Sequence, residues 1–369
     1  MKKIGIDLRS LLTTHYSGIP EYVLNMVRML QSLHDVTLQG WYNQRKHAQL
    51  PADLVNKIPL TIGTTPNKIL NARLTTTTSQ LFDAAFIGCD VVWMPDINFW
   101  SPLRNKKLVV TVHDVSYLRF PEFFSYKSRI WTTLCKAQQL LKSADHLIAV
   151  SNATKQDCVE ILGIDPVKIS VVHEGVDTTL TTPASPTEIS RVKTKYNLPN
   201  EFILFVGTLE PRKNIESVIR AAQFVNMPLV IAGKLGWKYR SILKAMKQST
   251  TPVQYLGYIP KEDKAGLYAQ AKVFLWPSFY EGFGLPVLEA QSQGVPVITS
   301  ATSSLGEITN GSAVLVHPYQ QSQINHALAR LLEDSAWYAT LQQAGKNNAS
   351  RFSWQKSAQE TLDVLRSHL

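Results

Sequence analysis

The chain lacks most of the features that would assign it quickly to a class. No apolar run approaches the roughly 20 residues of a membrane-spanning helix, so a soluble globular protein is expected. Its three cysteines, Cys89, Cys135 and Cys158, are odd in number and lack metal-ligand spacing. That excludes a disulfide framework or a cysteine zinc module and fits a reducing, cytoplasmic setting. No G-x-G-x-x-G and no phosphate-loop signature occurs, which argues against a dinucleotide oxidoreductase and a phosphate-loop NTPase. No zinc-finger, RNA-recognition or basic-zipper pattern is present, so nucleic acid is not an expected partner. Acidic residues are in deficit: 28 Asp and Glu stand against 38 Lys and Arg, a net charge of +10. Such an excess suits an anionic small substrate or anionic lipid headgroups. The amino terminus begins like a secretory leader, but Asp7 and Arg9 interrupt it, and it reads as a first buried strand.

What is present is a rhythm. Apolar strand candidates fall at 3–8, 36–41, 91–94, 108–112, 146–150 and 169–172, then at 202–206, 229–232, 253–256, 273–276, 295–299 and 313–316. Short β-branched runs alternating with longer helical patterns imply parallel sheets covered on both faces, an α/β class. At 369 residues, two domains are expected, with the polar, proline-bearing stretch 177–186 between them. The expected boundaries are 1–178, 179–352 and a terminal helix within 353–369.

One segment carries the most chemistry. Glu281-Gly-Phe-Gly-Leu-Pro-Val-Leu-Glu289 holds two carboxylates around a Gly-Phe-Gly turn, with a helix expected from Leu285 and Pro286 in its first turn. Glu281 then precedes the helix and Glu289 lies about a turn inside it. A helix N-terminus offers amide donors and the positive end of a dipole, which suits phosphate. The carboxylates, being acceptors, suit hydroxyls, and phosphates flanked by hydroxyls describe a nucleotide sugar. Ligands of open α/β sheets sit beyond the carboxyl ends of strands. Gly18, His113 with Asp114, Arg212 with Lys213, and Glu281 all fall at such ends. Arg212 offers a planar fork to phosphate oxygens and Lys213 a compact charge.

The segment Pro277-Ser-Phe-Tyr-Glu-Gly-Phe-Gly-Leu-Pro-Val-Leu-Glu-Ala290 resembles the E-x7-E signature of the family 4 retaining glycosyltransferases. Phe202-Ile-Leu-Phe-Val-Gly-Thr-Leu-Glu-Pro-Arg-Lys-Asn214 resembles the strand and basic turn that open the second domain of that family. Thr111-Val-His-Asp-Val-Ser-Tyr-Leu-Arg-Phe-Pro121 resembles its His-Asp strand end. The resemblance implies the GT-B architecture, two Rossmann-like domains facing across a cleft, with the last helix crossing back to the N-terminal domain. That domain would bind acceptor and the second would bind donor.

The resemblance also implies roles. Arg212, Lys213, Thr208 and the Gly18 backbone would hold the donor diphosphate, and backbone contacts around Gly257, Tyr258 and Ile259 would hold the base. Glu281, with amides of Phe283, Gly284 and Leu285, would bind the transferred sugar, and Glu289 the ribose. His113 would orient the sugar or assist a proton, with Asp114 and Tyr117 on the acceptor side. Pro20 and Glu21 replace the glycine and basic residue common in relatives, and Thr208 stands where many carry arginine. No D-x-D motif is present, so neither metal nor cofactor is expected, only the nucleotide diphosphate sugar as substrate. The implied reaction is retaining hexosyl transfer, with mannose from GDP-mannose the favoured donor, to a lipid-linked or growing cell-envelope glycan such as O-antigen, capsule or exopolysaccharide. The alternatives are a UDP-amino-sugar epimerase on the same architecture and a non-catalytic sugar-nucleotide binder. Over 125–142 a basic amphipathic helix is expected, suited to peripheral association with the inner face of an anionic membrane.

Overall fold

In a computed structural model, which describes residues 2–13, 18–33, 36–44, 50–55, 57–75 and 80–369, the apolar runs form two all-parallel sheets. The first contains β1 (Lys3–Asp7), β2 (Thr37–Asn43), β3 (Leu60–Gly63), β4 (Val91–Met94), β5 (Lys107–Val112), β6 (His146–Ala149) and β7 (Ile169–Val171), in the order β3-β2-β1-β4-β5-β6-β7. The second contains β8 (Ile203–Val206), β9 (Leu229–Ala232), β10 (Val253–Gly257), β11 (Val273–Trp276), β12 (Val297–Ser300) and β13 (Val314–Val316), in the order β10-β9-β8-β11-β12-β13. Both are doubly wound. Strand order reverses between β1 and β4 in one sheet and between β8 and β11 in the other.

The central strands are buried on both faces, as their unbroken apolar runs require. Every residue of β4 and of β11 is buried, with Trp93 and Trp276 among the largest fully buried side chains. Each such side chain stabilises the fold by about 1.5–3 kcal/mol.

The chain divides into two units. The first comprises Met1–Arg119, Tyr126–Glu174 and Trp354–Leu369; the second comprises Phe120–Ser125 and Gly175–Ser353. The terminal helix Trp354–Arg366 therefore belongs to the first unit, where Trp354 meets Tyr22 edge-on at 5.8 Å. The six-residue Phe120–Ser125 piece joins the second unit through aromatic packing. Phe123 stacks on Phe279 (5.3 Å) and Phe124 on Trp237 (5.7 Å). Nothing in the residue pattern pointed to that exchange.

Two local expectations change. β3 was not anticipated, because it is a short edge strand whose Ile62 is half exposed and whose apolar content is low. The helix expected over 125–142 is two helices, Tyr126–Leu134 and Ala137–Ser143. Lys136 sits between them in the left-handed region (φ 52°), and this reversal lets Leu140 and Leu141 bury completely while the first helix buries nothing. No helix among the described residues is long and apolar enough to cross a membrane.

Candidate functional site

The second unit concentrates charge at its switch point. Arg212 and Lys213 lie in a single 3-10 turn (Pro211–Lys213) after β8, and Glu281 lies in the loop after β11. Asn214 welds the two together. Its backbone is left-handed (φ 55°), and its amide donates to the carbonyls of Pro277 (3.0 Å) and Pro318 (2.9 Å). Phe279 N also donates to the Arg212 carbonyl at 2.9 Å.

Glu281 receives both cations. Arg212 Nη1 donates to its Oε2 at 2.8 Å and Lys213 Nζ to its Oε1 at 2.7 Å. Arg212 is further fixed by the Tyr280 carbonyl (2.7 Å) and, through Nε and Nη2, by Glu210. Lys213 Nζ also lies over the Trp276 ring, 4.3 Å from its centroid. Burial pushes the Glu281 carboxyl upward, but Arg212 and Lys213 outweigh it and hold the group below the usual range. Burial likewise draws the Lys213 ammonium below its usual value, against the pull of Glu281. For Glu210 burial prevails over Arg212, and its carboxyl is raised. The ion-paired form of Glu281 is thus the stable one.

Glu289 is buried in the helix Leu285–Ser292, whose N-cap, Gly284, has φ 125°. Its two oxygens accept from Lys264 Nζ (2.8 Å) and the Tyr268 hydroxyl (2.7 Å). Lys264 and Tyr268 lie four apart on the helix Lys261–Tyr268, hence on one face. Phe283 is buried against Phe352, and Leu285 opens the helix.

Glycine makes the floor. Gly233 follows β9 at φ 141°, and a Cβ there would stand 1.9 Å from the Gly207 carbonyl oxygen, so only glycine allows that approach. Thr208 is half-buried beside it. Trp276 Nε1 is buried without a hydrogen-bond partner among the described residues. Gly257 (φ 71°) accepts from Gly233 N at 2.7 Å; Tyr258 is part-exposed with Lys234 Nζ over its ring at 4.9 Å, and Ile259 is buried.

The first unit places the remaining residues differently. Gly18 caps the helix Ile19–Gln31 at φ 61°, ψ −125°, a conformation that favours glycine; Tyr16 and Ser17 of the same loop lie outside the described residues. His113, after β5, has an acceptor at each ring nitrogen: Glu174 Oε1 3.1 Å from Nδ1 and the Pro95 carbonyl 2.9 Å from Nε2. Burial disfavours its charge, yet Glu174 prevails and its pKa is raised. Both ring partners are oxygen acceptors held within the first unit, so the two nitrogens are committed there. Asp96 nearby is pushed up to about 6, chiefly by burial.

Asp114 and Tyr117 were expected on the acceptor side, and the local contacts give them structural duties. Asp114 Oδ1 accepts from the Ser116 amide (2.9 Å) and hydroxyl (2.5 Å), capping the short helix Ser116–Arg119. Tyr117 packs against the core with its hydroxyl buried and unpartnered among the described residues.

Comparison with known proteins identifies the family and the fold. Residues 186–351 match the family model described as Glycosyl transferases group 1, and residues 16–180 match Glycosyltransferase Family 4. The O-antigen chain mannosyltransferase B of Escherichia coli is 32% identical over 278 residues, covering 73% of this chain and 72% of that one. The chain belongs to glycosyltransferase family 4. This hexosyltransferase also resembles the serotype-specific mannosyltransferase WbdA of Escherichia coli, 30% identical over 231 residues, which are 60% of this chain but 28% of that longer protein. Its fold matches that of Anabaena Alr3699/HepE, solved in complex with UDP-glucose, with a TM-score of 0.73, 19% identity and full coverage of both chains. The fold is GT-B.

Sequence reasoning missed Glu174, Asp96, Lys264 and Tyr268. Only the Lys264–Tyr268 spacing offered a signal, and it was indistinguishable from an ordinary helix face. Glu210 was visible inside the Gly-Thr-Leu-Glu-Pro-Arg motif but carried no assigned role. Among the described residues, no group of three or more His, Cys, Asp or Glu side chains is arranged to hold a metal ion.

Proposed function

We propose that this transferase moves a hexosyl group, mannose from GDP-mannose, onto a lipid-linked or growing O-antigen-type glycan with retention of configuration and without a metal ion. The observation that carries the donor side is the Arg212–Lys213–Glu281 cluster at the β8/β11 switch point. Buried Lys213 and part-buried Arg212, both held by Glu281 with Glu210 behind Arg212, form a site that an incoming diphosphate would enter by exchange. Its oxygens take Arg212 and Lys213, and Glu281 is released to accept from sugar hydroxyls. Thr208 and the glycine floor admit the phosphates, Gly257, Tyr258 and Ile259 meet the base, and Glu289 accepts from the ribose while Lys264 and Tyr268 hold it in place. Amides of Phe283, Gly284 and Leu285 at the helix start face developing negative charge. Mannose as the sugar and O-antigen as the product are supported by the names of the Escherichia coli relatives.

In the step itself, the bond from the anomeric carbon to the donor phosphate oxygen breaks and the acceptor oxygen bonds on the same face. The acceptor proton passes to the departing phosphate. No step then asks a side chain to act as base, and His113, held by Glu174 and the Pro95 carbonyl, would orient the transferred sugar. The relatives described above are transferases, and nothing in the site favours the epimerase reading. Incubation with GDP-mannose, in EDTA, and a synthetic undecaprenyl-diphosphate-linked glycan tests the proposal. An α-mannosylated product supports it, whereas a β-linked product, or donor conversion without acceptor, contradicts it.

Peripheral cytoplasmic membrane association is part of the same proposal. Its support is the helix Tyr126–Leu134, where Tyr126, Ile130 and Leu134 are exposed beside Lys127 and Arg129. Beyond this helix the expected face does not continue: Lys136 Nζ donates to the Thr75 carbonyl and Leu141 is buried. Flotation with phosphatidylglycerol vesicles should be lost on reversal of Lys127 and Arg129; unchanged flotation would remove this helix as the anchor.

A further inference from the structure

Phe120–Ser125 is the part of the chain before Gly175 that groups with the second unit, and both of its ends return to the first, at the helices Ser116–Arg119 and Tyr126–Leu134. Three of its six residues are phenylalanine, all part-buried rather than sunk in a core. Pro121 opens a 3-10 turn, Pro121–Phe123, and fixes its entry. Three residues per turn bring Phe120 and Phe123 to one side, with ring centroids 5.7 Å apart. These rings meet adjacent residues of the loop after β11: Phe120 lies 5.6 Å from Tyr280, and Phe123 stacks on Phe279. Phe124 stacks instead on Trp237, in the loop after β9. That loop also grips this strap by its backbone, since Trp237 Nε1 donates to the Phe123 carbonyl and Lys238 Nζ to the Glu122 carbonyl. Lys238 does so from the left-handed region (φ 53°), which a lysine keeps only where its surroundings fix it.

The two loops that the strap joins are the two that hold Arg212. On one side, Phe279 N donates to the Arg212 carbonyl (2.9 Å), and Arg212 Nη1 returns a bond to the Tyr280 carbonyl (2.7 Å), one residue before Glu281. On the other, Leu209 N donates to the Lys234 carbonyl (2.8 Å) and Gly236 N to the Leu209 carbonyl (3.1 Å). The loop carrying Trp237 is thus bonded to the segment carrying Glu210, the second carboxylate on Arg212. An anchor that only covered apolar surface could pack anywhere on the unit. This one packs on the two residues before Glu281 and on the loop behind Glu210. A guanidinium reads phosphate oxygens through a planar fork, so small displacements of that fork weaken binding.

We infer that Phe123 is a positioning residue for the donor diphosphate. Through Phe279 and Tyr280 it sets where the Arg212 fork and Glu281 stand, and Trp237 holds Phe123 in place. The inference rests on the donor reading above, in which Arg212 takes the diphosphate.

Calorimetric titration of the full chain with GDP, UDP, dTDP and ADP tests it, in the parent and in Phe123→Leu, Phe123→Tyr, Trp237→Phe and Phe224→Leu. Leucine fills a part-buried site with apolar volume but loses the planar stack, whereas tyrosine keeps the stack. Trp237→Phe keeps a ring against Phe124 and removes only the N–H to the Phe123 carbonyl, so it serves even where Phe123→Leu folds poorly. Phe224, an exposed ring at the last position of the helix Ile215–Phe224, controls for the substitution itself. Affinity for the nucleotide that the parent binds should fall about tenfold in Phe123→Leu and about threefold in Trp237→Phe. It should be kept in Phe123→Tyr and Phe224→Leu. A purely structural strap would lower the melting temperature without moving that affinity. Parent affinity in both Phe123→Leu and Trp237→Phe, or a tenfold loss in Phe123→Tyr or Phe224→Leu, would overturn the positioning role while leaving the donor reading in place. Failure of the parent to bind any of the four nucleotides would overturn the two together.

Discussion

The two switch points bury polarity in opposite ways. At β8/β11, charge is answered by charge: Arg212 and Lys213 converge on Glu281, with Glu210 behind. At β1/β4 the Asp7–Arg9 ion pair is closed on itself, and the other described residues around it are asparagines, leucines and aromatics. The same winding thus carries a charged cluster in one unit and a self-closed ion pair among neutral groups in the other. Topology selects where a ligand binds, and residue type selects which ligand.

The charged site is the easier to break. Glu281→Gln leaves buried Lys213 without its carboxylate and Arg212 with Glu210 alone, which should lower stability by about 3–5 kcal/mol in denaturant unfolding. Transfer should fall about a hundredfold or more. GDP should raise the melting temperature of this variant more than that of the parent, because phosphate replaces the lost anion; an equal rise would show that the diphosphate binds elsewhere. Lys213→Ala, with Arg212 still in place, should weaken GDP binding by about 1.5–3 kcal/mol. Unchanged affinity would remove Lys213 from the donor site.

The first unit should respond to pH instead. The folded pKa of His113 is raised, so its contribution is fully present below the unfolded value near 6.5 and is lost as pH rises through the folded value. Unfolding free energy, measured with denaturant at a series of pH values, should therefore decline across that window. Glu174→Gln should flatten the decline; an unaltered slope would show that Glu174 does not hold the imidazolium. Tyr117→Phe is expected to have the smallest effect. Removing a buried, unpartnered hydroxyl should be neutral or stabilising within about 1 kcal/mol, with kcat unchanged. A fall in kcat would restore Tyr117 to the acceptor site.

The same contrast explains what could be read from the sequence. In the second unit, the functional groups are neighbours in the chain: Glu281, the Gly-Phe-Gly turn and Glu289 occupy one segment, and Arg212 and Lys213 are adjacent. A pattern of that density identifies chemistry before any fold is known. In the first unit, the groups meet only through the sheet. His113 sits in a recognisable strand end, but its partner Glu174 lies 61 residues away and in no distinctive local pattern. The doubly wound order was legible in the repeated apolar runs, because buried parallel strands demand them. The edge strand Leu60–Gly63 and the break at Lys136 were not, since a half-exposed strand and a left-handed lysine leave little trace in residue type.

The central claim is that the Arg212–Lys213–Glu281 cluster is a metal-free diphosphate site. Calorimetric titration with GDP, UDP, dTDP and ADP in EDTA tests it most directly. The expected result is saturable binding of one of them, GDP, that is weakened in Lys213→Ala. No binding of any nucleotide in EDTA, with binding restored by magnesium, would contradict it.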